Sequence, residues 1–502
     1  MLISLIGLAA VSIWELLLYV RWFWSWRKPM AAIAVPLLAV FSAQLLYSRW
    51  HLLTGLVLVA SFYRIINLLR LVEGRIQADY LFRVARQSSF WLIIGQSVAL
   101  GLYWLMSHES DAVLHWWAYG LVGLQLAAAL SMAASTQRHL RTTRPPIIDK
   151  HYPDRDLPSL TVAIPARNET DDLEACLNSL IANDYPKLEI LVLDDCSQGK
   201  RTAEIIRAYA HDGVRFLAGK TPPKDWLAKN YAYQQIAAEA NGEFLLFCGV
   251  DSRFGPESLR NIVETALTKH KTMYSILPRN KALSRWNIHG LLIQPSRYAW
   301  ELSLPRRLLQ CPPVLSTCWL ISAKVLHAAG GFKAVVRSSS PESYFARYAA
   351  SHEDGYSFLQ SDAALAVSSE KAVIEQRFTA LRTRYPQLHR RPELVGAVSV
   401  LELFIILGPL IEGITGLVTG HWLLAILGGI SYALVTVAYC QVVALTYRQF
   451  LLRGLWVLPF ATMYDIGLLQ YSMQQYEFGE MIWKGRNVCL PLMRAIPTLP
   501  KA

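Results

Sequence analysis

The chain has 502 residues, 53% of them hydrophobic, a mean hydropathy of +0.26 and a formal net charge of +12. This is too apolar for one soluble domain and too long for a single core. Much of the positive excess sits beside apolar segments, which argues against a nucleic-acid binder and for positive-inside membrane topology.

The apolar excess lies before about residue 135 and after about residue 396. A span needs about 20 mostly apolar residues. Candidate spans run near 2–20, 31–47, 52–69, 90–106 and 113–134. The first is read as a retained anchor and not a cleaved signal. It lacks a basic leader, Glu15 interrupts it, and the basic aromatic collar RWFWSWRK follows at once. Arg21, Arg27 and Lys28 put the first loop in the cytosol, as do Arg70, Arg75, Arg83 and Arg86 for the third connection. HESD at 108–111 carries no basic residue and fits the outside. Five spans with an external N-terminus then deliver the following domain to the cytosol. Residues 67–87 read as an amphipathic helix on the membrane surface, or else as an ordinary linker helix.

The proline- and charge-rich run 142–159 reads as a linker. Beyond it the composition is that of a soluble α/β domain. Residues 160–260 alternate strand and helix: TVAIP, then DDLEACLNSLIAN; LEILVLD, then TAEIIRAYA; VRFLAG, then DWLAKNYAYQQIAAEA; and EFLLFCGVD. This predicts a parallel βαβ series. Strands buried on both faces read as continuous apolar runs, and ligands bind beyond their carboxyl ends. Arg167, Asn168, Glu169, Asp194, Asp195 and Asp251 are therefore expected along one sheet edge. Neither GxGxxG nor GxxxxGK[ST] occurs at the first turn, so the usual dinucleotide and P-loop fingerprints are absent. The seven cysteines form no CxxC pair, which argues against a disulfide framework or a zinc site and for a reducing cytosol.

After this domain, 397–419 and 422–446 are long enough to cross and return. The segment 454–472, with Pro459 and Asp465, is either an eighth span or a helix lying in the interface; both residues favour the second.

Several motifs, in order, carry a resemblance. PARNE (165–169), DDCS (194–197), KDWLAKNYA (224–232), GVD (249–251), GGF (330–332) with Glu342, QLHRR (387–391) and WKGR (483–486) resemble those of family 2 glycosyltransferases, especially the membrane-embedded, ceramide glucosyltransferase-like branch. The resemblance implies an α/β GT-A (nucleotide-diphospho-sugar transferase) domain inserted between transmembrane helices. The expected boundaries are 1–141 for five N-terminal helices, 142–159 for the linker, 160–395 for the GT-A domain, and 396–502 for the C-terminal helices and tail.

It further implies transfer of a sugar, inverting, from a nucleotide-sugar of the UDP-sugar type to a lipid, by a multi-pass plasma-membrane protein with its catalytic domain in the cytosol. Pro165, Arg167, Asn168, Glu169, Asp194, Asp195, Lys229 and Asp251 are the expected donor-binding residues, Asp251 also being the ligand of Mg²⁺ or Mn²⁺. Glu342 is the expected base, with Glu353 and Asp354 as competitors, and Gln387, Arg390, Arg391, Trp483, Lys484 and Arg486 face the acceptor or close the site. Bland readings stand beside these: Glu169 as a helix-capping acid, Asp194 and Asp195 as a strand-end turn, Asp251 as an N-cap, Lys229 as a solvated lysine, QLHRR as a basic juxtamembrane helix.

The chain departs from the family pattern at three places. Gly249 replaces the first Asp of DxD, Ser343 follows Glu342 where a second acid is usual, and Arg391 replaces the Trp of QxxRW. Two rivals remain, a processive polysaccharide synthase and an inactive glycosyltransferase-like membrane scaffold.

Overall fold

The structure is a computed structural model that describes residues 2–19, 21–48, 52–73, 79–106, 111–148, 151–280, 288–303, 312–352, 355–447, 451–489, 491 and 493. The chain forms two compact units. One comprises Met1–Leu126, Leu388–Gly429 and Leu469–Glu480, the other Ala127–Gln387, Ile430–Leu468 and Met481–Ala502.

The first unit is helical. Helices Leu2–Leu17, Arg27–Ser48, Leu52–Val72 and Asp79–Met106 pack around an apolar core that includes Leu8, Val11, Leu38, Leu45, Val57, Leu68 and Ala99. The polar residues on these helices are paired inside. Arg64 donates to Glu15 at 2.8 Å and also to Gln96, while Gln96 and Ser42 both donate to Ser61, at 3.2 and 2.7 Å. Such pairing offsets the cost of burying charge in an apolar bundle. The expected surface helix at 67–87 is not a separate element among the described residues. Residues 67–72 complete the helix from Leu52, and 79–87 begin the helix that ends at Met106. The reason is visible in Asn67 and Arg70, which are buried and hydrogen-bonded to each other at 3.2 Å rather than turned to an interface. Helices Gly408–Thr419 and Trp422–Thr446 approach backbone to backbone. A Cβ on Gly416 would lie 2.5 Å from the backbone nitrogen of Ala425.

Among the described residues five helices are long and apolar enough to cross a membrane: Arg27–Tyr47, Leu53–Val72, Ala118–Thr142, Pro392–Thr419 and Trp422–Thr446. Helix Leu2–Leu17 is apolar but shorter. The segment expected at 454–472 lies inside helix Leu451–Glu477, which contains Pro459 and buries Asp465 in an ion pair with Arg384.

The second unit holds the α/β domain. Strands β1 (Leu160–Ala166), β2 (Leu188–Asp194), β3 (Val214–Ala218) and β4 (Phe244–Cys248) are parallel neighbours, in the order β3-β2-β1-β4. Beyond β4 the sheet turns mixed. It continues through β8 (Cys318–Ser322), antiparallel to β4 and β6 (Met273–Leu277), and ends on β9 (Tyr356–Gln360). Residues of alternating parity divide between two cores, as a pleat requires. Val162, Ile164, Val192, Leu246 and Leu320 enter one, with helices Asp171–Ile181 and Ser258–Thr268. Ala163, Leu191, Leu193, Phe247, Trp319 and Ile321 enter the other, with Tyr233 and Phe345. A sheet covered on both faces accounts for the near-continuous apolar runs in the sequence.

A smaller sheet sits beyond β4. In it β10 (Val367–Ser369) pairs with β5 (Ser252–Phe254) and with β7 (Arg279–Asn280). The register Ser369↔Ser252 brings the chain after β10 beside Asp251. The tail forms a hairpin, β11 (Ile482–Trp483) against β12 (Arg486–Asn487).

Candidate functional site

The site is built at the carboxyl ends of β1, β2 and β4. Just past β1 the chain turns through Asn168, whose φ is +50°. Asn tolerates that left-handed conformation because its amide bonds locally. Here its Oδ1 accepts from Gln198 N–H at 2.8 Å, and its own N–H donates to Ser197 Oγ at 2.9 Å. These bonds tie the ends of β1 and β2 together. Arg167, buried between them, donates to the carbonyls of Asp195 (2.6 Å), Cys196 and Lys484 (3.0 Å). Burial, and then Arg486 nearby, push its pKa below the usual arginine value.

A cavity of about 170 Å³ opens at this edge. It is lined by seven basic side chains (Arg167, Lys229, Arg297, Lys371, Arg382, Arg384 and Lys484) against four acidic ones, Glu169, Asp195, Asp251 and Glu375. Pro165 and Trp483 also contribute. The excess of cations over anions suits a ligand carrying several negative charges. Asp251 Oδ2 accepts from Ser369 Oγ at 2.9 Å. The position of Gly249 is tight: a Cβ there would lie 2.5 Å from Asp251 Oδ1. The glycine thus makes room for the one carboxylate that remains.

A second cavity, of about 240 Å³, shares Lys229, Arg297, Arg382 and Trp483 with the first and holds Glu342 and Arg486. Glu342 sits in the first turn of helix Pro341–Ala350, is 3% exposed, and leaves Oε2 without a hydrogen-bond partner. A carboxylate in a first turn gains from the helix dipole. Lys229 occupies the first turn of helix Ala228–Glu239, beside the buried Asn230. Asn230 Nδ2 donates to the carbonyls of Val335 (2.7 Å) and Ser338 (2.9 Å), so one side chain fixes the lysine's helix against the loop leading to Glu342. Burial brings the Lys229 ammonium down to a pKa of about 8, opposed chiefly by the Glu342 carboxylate.

The tail hairpin closes over these residues. Its turn, Lys484–Gly485, has φ of +45° and +78°, the pattern of a two-residue hairpin turn with both central residues left-handed. A Cβ at 485 would also press on the end of the Gln198 side chain. Lys484 pairs with Glu169, and its carbonyl accepts from Arg167 and from Asn168 Nδ2 at 3.3 Å. Arg486 pairs with Asp195 at 2.6 Å, and Trp483 lies under the Arg382 guanidinium at 4.5 Å. Burial raises the pKa of Glu169 and of Asp195, the tail cations Lys484 and Arg486 respectively opposing it.

Residues 161–330 match the family model described as Glycosyl transferase family 2. The match supports a family 2 glycosyltransferase domain over this stretch of the chain. The chain is similar to glycosyltransferase AglE of Haloferax volcanii, at 33% identity over 99 residues, which is 19% of this chain and 31% of that protein. It is similar also to the protein named "Probable glycosyltransferase YdaM" of Bacillus subtilis, at 32% over 109 residues, 21% of this chain and 25% of that one. The match thus spans under a third of the length of either relative. Among solved structures, a mannosyltransferase from Pyrobaculum calidifontis in complex with GDP-Man and Mn²⁺ aligns over 71% of this chain and 97% of its own, at 17% identity and a TM-score of 0.42.

Pro165, Arg167, Glu169, Asp195, Lys229, Asp251, Trp483 and Lys484 line one cavity, with Glu342 and Arg486 on the adjoining one. Asn168 stands at the rim, exposed. Asp194 lines neither cavity; its Oδ1 caps the turn by accepting from Ser197 N–H at 3.1 Å and from the Ser197 hydroxyl. Gln387 also lines neither. Arg390 and Arg391 belong to the helical unit, where Arg390 donates to the Tyr476 carbonyl at 2.9 Å and Arg391 pairs with Glu393. The alternative bases Glu353 and Asp354 lie outside the described residues. Sequence reasoning missed Lys371, Arg297, Arg382, Arg384 and Asn230. The one signal was the run of polar and basic residues on helix Val373–Gln387, whose Glu375, Gln376, Thr379, Arg382 and Thr383 return at helical spacing to the cavity wall.

Proposed function

We propose that the protein transfers a sugar, with inversion, from a nucleotide-diphosphate sugar to a hydroxyl of a membrane lipid. The observation that carries this reading is the cation-rich cavity at the strand ends, adjoined by a second cavity that holds a buried carboxylate with one oxygen unpartnered. The diphosphate lies among Lys229, Arg297 and Arg382, which offset the charge that builds on it as the sugar–phosphate bond breaks. Glu169 and Asp195, which line the same cavity, are assigned to the nucleoside. The acceptor hydroxyl enters the second cavity and gives its proton to Glu342 Oε2. Its oxygen bonds to the anomeric carbon from the face opposite the departing phosphate oxygen, and the nucleoside diphosphate leaves.

A divalent cation fits this site only as a shared ion. Among the described residues no group of three His, Cys, Asp or Glu side chains can hold a metal. Asp251 offers one carboxylate, and Mg²⁺ or Mn²⁺ would take its remaining oxygens from the diphosphate and water, as Mg²⁺ commonly does. When bound there, the ion would add to the neutralisation of the diphosphate.

The acceptor is assigned to the lipid class because the domain is tied to apolar, span-length helices before and after it in the chain. The domain is assigned to the cytosolic side of the plasma membrane, a reading the basic loops support for its orientation. The tail hairpin, through Trp483, Lys484 and Arg486, closes the site. Incubating membranes that contain the protein with labelled UDP-sugars, and then with other nucleotide-sugars, tests the reading. A labelled lipid whose mass rises by one sugar is expected; free sugar polymer, or no product from any donor, overturns it.

A further inference from the structure

Position 249 is glycine and supplies no second carboxylate. Even a Cβ there would press on Asp251 Oδ1 at 2.5 Å. What stands near instead is basic. The antiparallel pairing of β10 with β5 sets Ser369 opposite Ser252. Ser369 Oγ then donates to Asp251 Oδ2 at 2.9 Å, and the Glu370 N–H donates to the Asp251 carbonyl at 3.0 Å. The next residue, Lys371, lines the first cavity together with Asp251 and Lys229. Its backbone is fixed, since Gln376 Nε2 donates to the Lys371 carbonyl at 2.9 Å. Glu370 pairs with Arg253 at 3.3 Å. Burial lowers the Lys371 pKa, and the Asp251 carboxylate is the first charge to oppose it. An ammonium held on a fixed backbone inside a cavity is a point charge suited to phosphate oxygens.

We propose that Lys371 is a diphosphate-binding residue of the donor site, supplying positive charge at the place where the carboxylate missing at Gly249 would have helped to hold a metal. Donor binding therefore has a component that does not depend on a divalent ion. This rests on the nucleotide-sugar reading given above.

The test is titration of UDP, and separately GDP, into the full-length protein in detergent, once with EDTA and once with Mn²⁺. The wild type is expected to bind in EDTA within about tenfold of its affinity in Mn²⁺. Lys371→Met is expected to weaken binding in EDTA by about tenfold or more, the worth of one charged hydrogen bond, and by less in Mn²⁺. Lys371→Arg keeps the charge and is expected to stay near the wild type in both; it also serves if the methionine variant does not fold. Loss of wild-type binding in EDTA, together with variants that match the wild type in Mn²⁺, overturns the role of Lys371 and leaves the nucleotide-sugar reading standing. Failure of the wild type to bind either nucleotide under both conditions overturns that reading and this inference with it.

Discussion

Replacing Arg486 by Ala should open the tail hairpin without unfolding the domain beneath it. Arg486 makes two bonds to Asp195, 2.6 Å to Oδ2 and 3.1 Å to the carbonyl. The Arg486 side chain is 19% exposed and that of Asp195 only 7%. An exposed pair is worth about 1 kcal/mol at most, and breaking a buried one costs about 3–5 kcal/mol. This pair lies between those limits. Arg167 stays bonded to the Asp195 carbonyl and softens the loss at the carboxylate. The expected cost is thus about 2–3 kcal/mol, or about 30- to 150-fold in the equilibrium between closed and open hairpin. Hydrogen exchange reads this directly. The Val488 N–H, bonded to the Met481 carbonyl at 2.9 Å, should exchange faster by that factor, while amides of β1 and β2 keep their protection. If Val488 changes by less than about threefold, the pair does not hold the hairpin closed.

Asp251→Asn should keep the Ser369 contact yet lower transfer by about two to three orders of magnitude, the usual cost of removing one electrostatic group from a reacting centre. Near-normal turnover with unchanged response to added divalent ion would show that Asp251 plays no such part. Glu342→Gln should abolish transfer and leave UDP affinity within about twofold, because the carboxylate lines the second cavity rather than sharing the first. Weakened UDP binding with transfer retained would remove Glu342 from the role of base. Lys229 is protonated below its pKa of about 8 and neutral above it, so the affinity for a nucleoside diphosphate should fall as pH rises through that range. Calorimetric titration at several pH values checks the sign, and Lys229→Met should flatten the profile; a rise in affinity with pH would contradict the assignment.

The strands β1 to β4 were legible because burial on both faces writes itself as apolar runs, and the acids that end them were legible because such strands deliver their next residues to one edge. Pro165, Glu169, Asp195 and Asp251 come together for that reason. Lys371 was not legible, since nothing local marks it; it reaches Asp251 only because β10 pairs antiparallel with β5, more than a hundred residues earlier in the chain. The antiparallel β8 between β4 and β6 was likewise invisible, a register formed by long-range pairing. Asp194 and Asp195 show the limit of motif reading. They are adjacent, yet a strand sends neighbouring side chains to opposite sides, so one caps the Ser197 turn and the other meets Arg486. The surface helix expected at 67–87 is not a separate element, and its Asn67 and Arg70 find each other inside the helical bundle, which periodicity cannot report.

The central claim is that this cavity binds a nucleotide-sugar and that its sugar passes to a lipid. The direct measurement is incubation of membranes containing the wild type or Glu342→Gln with a panel of labelled nucleotide-sugars, followed by mass analysis of the extracted lipids. The account predicts one lipid heavier by a single sugar with the wild type and none with the variant. Label appearing only in a long polymer, or equally with both proteins, would contradict it.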